Sequence, residues 1–167
     1  MCLLASCGFL GLAGSGCVAT DTIEFDPTEN FPPSIISQPE ALFPLDEIGA
    51  VNLDDPPPAQ GAEVLLQTTI RDPNIEETLE FRLFVDDVAI LVGDDIEPSG
   101  FVERDRDFAV PFGSLTPGDC HKVDLVVTSE FESVIDLREP LIPGDFDQAV
   151  WWIRVTNTEF PEASECQ

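Results

Sequence analysis

Tyrosine is absent from this chain of 167 residues, Met and His occur once each, Trp twice, and only 7 side chains are Lys or Arg. Each scarcity removes a class of function. A histidine-based triad or a His-rich metal site would have to be built around the lone ring of His121. No basic residue precedes Arg71, and the 7 cations face 33 Asp and Glu, a formal charge of -26. That balance opposes close approach to nucleic acid or to an anionic bilayer, so DNA and RNA are excluded as partners. There is no CxxC pair, Cys/His cluster, Gly-x-Ser-x-Gly elbow, EF-hand loop or aspartate-rich repeat. Structural zinc, thioredoxin-like exchange and elbow-type serine catalysis therefore have no footing. No stretch of about ten residues keeps a helical period.

What the chain does hold is apolar residues in short alternating blocks. They make up 43% of the sequence, with 12 Phe, enough to argue against wholesale disorder despite the charge. Ala62 to Arg71 places Val64, Leu66, Thr68 and Ile70 on one face, the pattern of a half-buried strand. Asp72-Pro73-Asn74 closes it as a turn. Leu79, Phe81, Leu83 and Val85 alternate with Glu80, Arg82 and Phe84 in the next strand. Val88 to Val92, bounded by Asp86-Asp87 and Gly93-Asp94-Asp95, then folds back as a hairpin partner. Phe108, Val110 and Phe112 form another set, His121, Val123, Leu125 and Val127 a further one, and Val150 to Val155 the last. Ile35 to Leu53, broken by Pro39 and Pro44, suits an edge strand. The consecutive Trp151 and Trp152 must face opposite ways, one into the core. Seven short strands separated by turns predict an all-β fold, a seven-stranded antiparallel sandwich.

The segment Leu115-Thr116-Pro117-Gly118-Asp119-Cys120-His121-Lys122-Val123-Asp124-Leu125-Val126-Val127 resembles the turn and following strand of fibronectin type III and related immunoglobulin-like domains. In that family a ring at this corner bonds back to the upstream backbone. The resemblance implies a structural corner made by Leu115, Pro117 and His121, His121 taking the place usually held by tyrosine, and an immunoglobulin-like β-sandwich around it. Phe81 would then occupy the position where immunoglobulins carry a core Trp.

The first residues, Met1 to Gly16, are apolar or small and fall short of the roughly 20 residues of a membrane helix, which reads as a secretion signal. Gly14-Ser15-Gly16-Cys17, followed by a polar stretch, resembles the cleavage box of bacterial lipoproteins. The resemblance implies that Cys17 receives lipid and becomes the first residue. Leu4-Ala5-Ser6-Cys7 fits the box better by residue type and makes Cys7 the alternative. Residues 17–33, acidic and rich in proline, then form a tether reaching on the order of 50 Å. Leader and tether are expected to be disordered, the sandwich to span 34–158, and 159–167 to be a tail. Once a leader is removed, Cys120 and Cys166 are the remaining cysteines, and an oxidising compartment would allow one bridge between them.

His121 shares its face with Val123 and Leu125, favouring a structural ring over a catalytic base. Asp54, Asp55, Asp72, Asn74, Asp86, Asp87, Asp94 and Asp95 supply oxygen atoms suited to Ca²⁺ if several of their loops meet at one end; otherwise they are solvated turn carboxylates. The expected function is that of a membrane-anchored envelope lipoprotein, a binding or structural module without catalysis or cofactor. Its partners would be the membrane, through the N-terminal lipid, and a protein or envelope glycan. The location would be the bacterial outer membrane, or the medium if the chain is not lipidated. The alternatives are a calcium-dependent adhesion module and a hydrolase of glycans using two carboxylates.

Overall fold

The computed structural model describes residues 30–55, 62–132 and 138–166. Within them eight strands form two facing sheets: β1 (Ser34–Ser37), β2 (Ile48–Asn52), β3 (Glu63–Arg71), β4 (Leu79–Val85), β5 (Val88–Ile96), β6 (Glu103–Pro111), β7 (Cys120–Thr128) and β8 (Phe146–Thr156). The smaller sheet has the order β1-β3-β6 and the larger β2-β8-β7-β4-β5. The fold is all-β with a two-sheet core, as the alternation demands.

Two features correct the sequence reading. The single edge strand expected over Ile35 to Leu53 is two strands, β1 on the small sheet and β2 on the large one, which raises the count from seven to eight. The reason lies in the prolines that interrupt that stretch: neither half sustains a ladder alone, and the turn between them carries the chain across the core. Nor is the sandwich wholly antiparallel. β2 runs parallel to β8, Ile48 facing Trp152 and Asn52 facing Thr156, while the other pairings are antiparallel. Crossing between sheets is what leaves β2 pointing along β8, since no hairpin connects them.

Every second residue of the long strands turns inward. Val64, Leu66 and Ile70 of β3 and Phe108 and Val110 of β6 meet Leu79, Leu83, Val85, Val123, Leu125, Val127, Trp151, Ile153 and Val155 of the larger sheet, all buried. At about 1.5–3 kcal/mol for each large side chain removed from water, this layer is the main source of stability. Phe81 does lie on the core face of β4, half-buried, and its ring meets that of Phe108 edge-on at 4.8 Å between centroids. Of the tryptophans, Trp151 is the core one, and its indole N–H donates to the carbonyl of Phe43 at 2.9 Å. That bond ties the crossing segment between β1 and β2 to the last strand. Phe43 is buried in turn, its ring laid against Gly49 so closely that a Cβ there would stand 2.3 Å from Phe43 Cδ1.

The hairpin at Asp86-Asp87 has both residues at positive φ, 49° and 67°, the backbone of a two-residue mirror-image turn. Past it, β5 continues to Ile96, so Asp94 and Asp95 sit inside a strand opposite Phe81 and Glu80, where a turn was expected. Register shifts interrupt this edge strand at two points, and such bulges discourage further pairing at an open edge. β6 likewise begins earlier than its apolar residues suggest, at Glu103, because β3 offers an equally long ladder.

Candidate functional site

The corner at His121 is built from three segments. Gly118, at φ +91°, turns the chain into β7, and its N–H donates to the Val155 carbonyl at 2.8 Å. Leu115 is buried beneath the turn. His121 itself is 4% exposed, and its Nδ1 lies 2.6 Å from Asp86 Oδ2 on the β4–β5 hairpin. The Thr116 N–H donates to Nε2 at 2.8 Å, and the Thr116 carbonyl is 3.0 Å from the same nitrogen. In the neutral ring this requires the tautomer with hydrogen on Nδ1, donating to Asp86. Asp86 also accepts the Lys122 N–H at 2.9 Å through its other oxygen. The imidazole thus has both nitrogens engaged in joining the corner to the hairpin, and no nucleophilic side chain is among its partners.

The eight candidate cation ligands separate. Asp72, Asn74, Asp94 and Asp95 belong to the end where β3 finishes and β4 begins; Asp54, Asp55, Asp86 and Asp87 belong to the opposite end. Among the described residues no three His, Cys, Asp or Glu side chains are placed to hold a metal ion. What Asp72 meets is an internal cation. Its fully buried carboxylate receives Arg104 Nη2 at 2.8 Å, and the same guanidinium donates to the carbonyls of Glu77, Asn74 and Ile96. Asp72 Oδ1 accepts the Asn74 N–H at 2.8 Å, a local turn bond. Burial raises the Asp72 pKa; the Asn74 bond and Arg104 oppose it, and the charge of Asp145 adds to it. Glu77 is raised for the same leading reason, with Asp72 and Asp145 contributing. At the other end Asp54 is lowered, chiefly by hydrogen bonds from Thr158.

Four further charged residues escaped the sequence reading. Asp124, on the face of β7 opposite His121, is fully buried, paired with Lys122 at 3.0 Å and Arg138 at 3.2 Å and accepting from Gln148 at 3.0 Å. Arg82, expected to point outward from β4, is 4% exposed, with its guanidinium carbon 3.9 Å from the centre of the Phe131 ring. Arg138 stacks on Phe84 at 4.3 Å. From the β7–β8 connection, Phe131 and Arg138 lie over this outer face, and Phe131 forms a second small core with Phe84 and Val126. Asp145, 5% exposed, bonds to the Ser129 hydroxyl through one oxygen only. A local pattern carries no signal for any of these, because the cover comes from a distant loop.

Cys120 and Cys166 form a disulfide, Cα to Cα 5.2 Å. Ser164 reinforces it, its hydroxyl accepting the Cys120 N–H at 3.0 Å and its N–H donating to the Gly118 carbonyl at 2.8 Å. The tail is thereby laid along the corner. Trp152, the outward member of its pair, is half-buried between Ile48 and Lys122 in the neighbouring strands. Cys17, Cys7 and the tether up to Glu29 lie outside the described residues. Its last part, from Asn30, is docked: Asn74 Nδ2 donates to Asn30 Oδ1 and the Phe31 carbonyl, and Pro33 is buried. A surface depression of about 620 Å³, open to solvent, is bordered by the β1–β2 connection, including Glu40, Asp46 and Glu47. Compared with known proteins, the chain matches no protein family, no curated protein and no solved structure.

Proposed function

We propose that this chain is an envelope lipoprotein whose immunoglobulin-like sandwich acts as a binding or structural module without catalysis. The observation that carries the reading is the corner, set in a core of two facing sheets. A ring at the head of β7 that accepts the N–H of Thr116, five residues upstream, is what the resemblance implies, and it supports the immunoglobulin-like reading. Every atom of chemical interest around that ring is engaged in holding elements together, which supports a scaffold role over a catalytic one. The Gly14-Ser15-Gly16-Cys17 box and the acidic stretch behind it support an anchored domain. Calcium-dependent adhesion has less support, since its candidate ligands divide between the two ends.

Intact mass of the mature protein, with metabolic labelling by an azido fatty acid, tests the anchor. A diacylglyceryl group on Cys17, lost in Cys17→Ser, is the expected result; labelling that persists in Cys17→Ser and vanishes in Cys7→Ser assigns the alternative cysteine. An unlabelled chain that keeps Met1 sinks the anchored reading.

A further inference from the structure

One end of the sandwich gathers the entering chain and three connections. Asn30 and Phe31 are held there by Asn74, and the Asp72 N–H donates to the Val102 carbonyl at 2.7 Å in the β5–β6 connection. Leu141 N–H donates to the Glu130 carbonyl at 2.8 Å just beyond β7, and Phe146 opens β8 opposite Thr128. This end also carries five large apolar side chains left in water: Phe101 at 72% exposure, Val102 at 44%, Leu141 at 46%, Ile142 at 48% and Phe146 at 41%. Toward the opposite end lie only Val88 and Phe160 among the described residues of this kind; the remaining exposed ones flank the sides. Exposed apolar side chains at one end, on two connections and at the first residue of β8, contribute nothing to the core and mark a surface suited to meeting another apolar phase.

Where the chain comes in says which phase. From Cys17 to Asn30 the backbone can extend at most about 45 Å, so a lipid on Cys17 keeps this end within that distance of the bilayer and, on average, nearer to it than the far end. The far end is displaced by a further distance of roughly 35 Å, the length of the longest strand. A tether this short keeps the tips at an effective concentration on the order of millimolar against the surface, so weak insertion suffices. The formal charge of -26 opposes pairing with a second copy and disfavours anionic headgroups, so of the lipid surfaces within reach of an anchored chain it favours a zwitterionic leaflet.

We propose that this end is a membrane-docking surface, in which Phe101, Val102, Leu141, Ile142 and Phe146 enter the interfacial layer of the zwitterionic leaflet to which the chain is anchored. The proposal rests on the lipid-anchor reading. The test uses the full mature protein in phosphatidylcholine vesicles containing nitroxide-labelled lipid, with Phe101→Trp and Phe160→Trp compared after subtraction of the native tryptophan signal. Quenching at position 101 should exceed that at 160 by about threefold or more, as interfacial insertion requires. It should fall when phosphatidylglycerol is added, and when Leu141→Glu and Ile142→Glu are introduced together, exposed changes that leave the core untouched. Equal quenching at both positions in protein that floats with the vesicles overturns the docking and leaves the anchor standing. Failure to float overturns both. Shielding of position 101 that grows only with protein density points to a second copy and overturns the proposal.

Discussion

His121 joins an upstream turn to a hairpin thirty-five residues away, because its two nitrogens address Thr116 and Asp86 separately. Phenylalanine would fill the same space and leave the Thr116 N–H without its acceptor. His121→Phe should therefore lower stability by about 2–3 kcal/mol, read from the urea midpoint. The scarce cations are spent in the same internal way. Of the 7 Lys and Arg, five are engaged with carboxylates or rings, and two of those carboxylates, Asp72 and Asp124, are fully buried. Glu77 sits beside this arrangement with its pKa raised by burial first. A carboxyl raised in the folded state lends stability that is fully present below its unfolded value and is lost as pH climbs through the folded one. Glu77→Gln removes that loss. The melting temperature should rise by about 1–2 °C at pH 7 and stay unchanged near pH 4, the gain being small because Glu77 is partly exposed.

At the level of elements, the alternation from β3 onward was readable because one face of each strand is buried against the other sheet and a slip of one residue would invert it. What the pattern concealed was the crossing between β1 and β2. Short apolar pieces around Pro39 and Pro44 look alike whether they stay on one sheet or change sheets. The contacts that decide it, Trp151 to the Phe43 carbonyl and the Phe43 ring over Gly49, join residues far apart in sequence. An alanine at Gly49 would press on that ring. Gly49→Ala should cost about 1–3 kcal/mol, lowering the urea midpoint with the slope unchanged if β2 stays in place. The outer face of β7 is hidden from the pattern for a related reason: Asp124 and Val126 lie on the face opposite His121, yet both are buried, beneath Arg138 and Phe131 of the β7–β8 connection.

For the whole molecule the dominant quantity is the excess of 26 negative charges, which repel one another in the compact state. Screening should relieve this more than it weakens an exposed pair such as Arg71–Glu103, whose side chains are about half in water. Raising sodium chloride from about 10 mM to 300 mM should lift the melting temperature by about 4 °C in a calorimetric scan; a fall would mean that surface ion pairs outweigh the repulsion. The amino-acid order by itself determined the all-β class, the inward faces of the long strands and the place of the corner ring, since period-two burial and a Pro-Gly turn are local properties. It also singled out Cys120 and Cys166 as the cysteines far from the apolar start of the chain. Only the tertiary structure decided which sheet each end strand joins, that β2 runs with β8, that the candidate cation ligands part to opposite ends, and that Asp72, Asp124 and Arg82 are buried. Those outcomes depend on packing between segments far apart in the chain, and no local pattern carries the energy of such contacts.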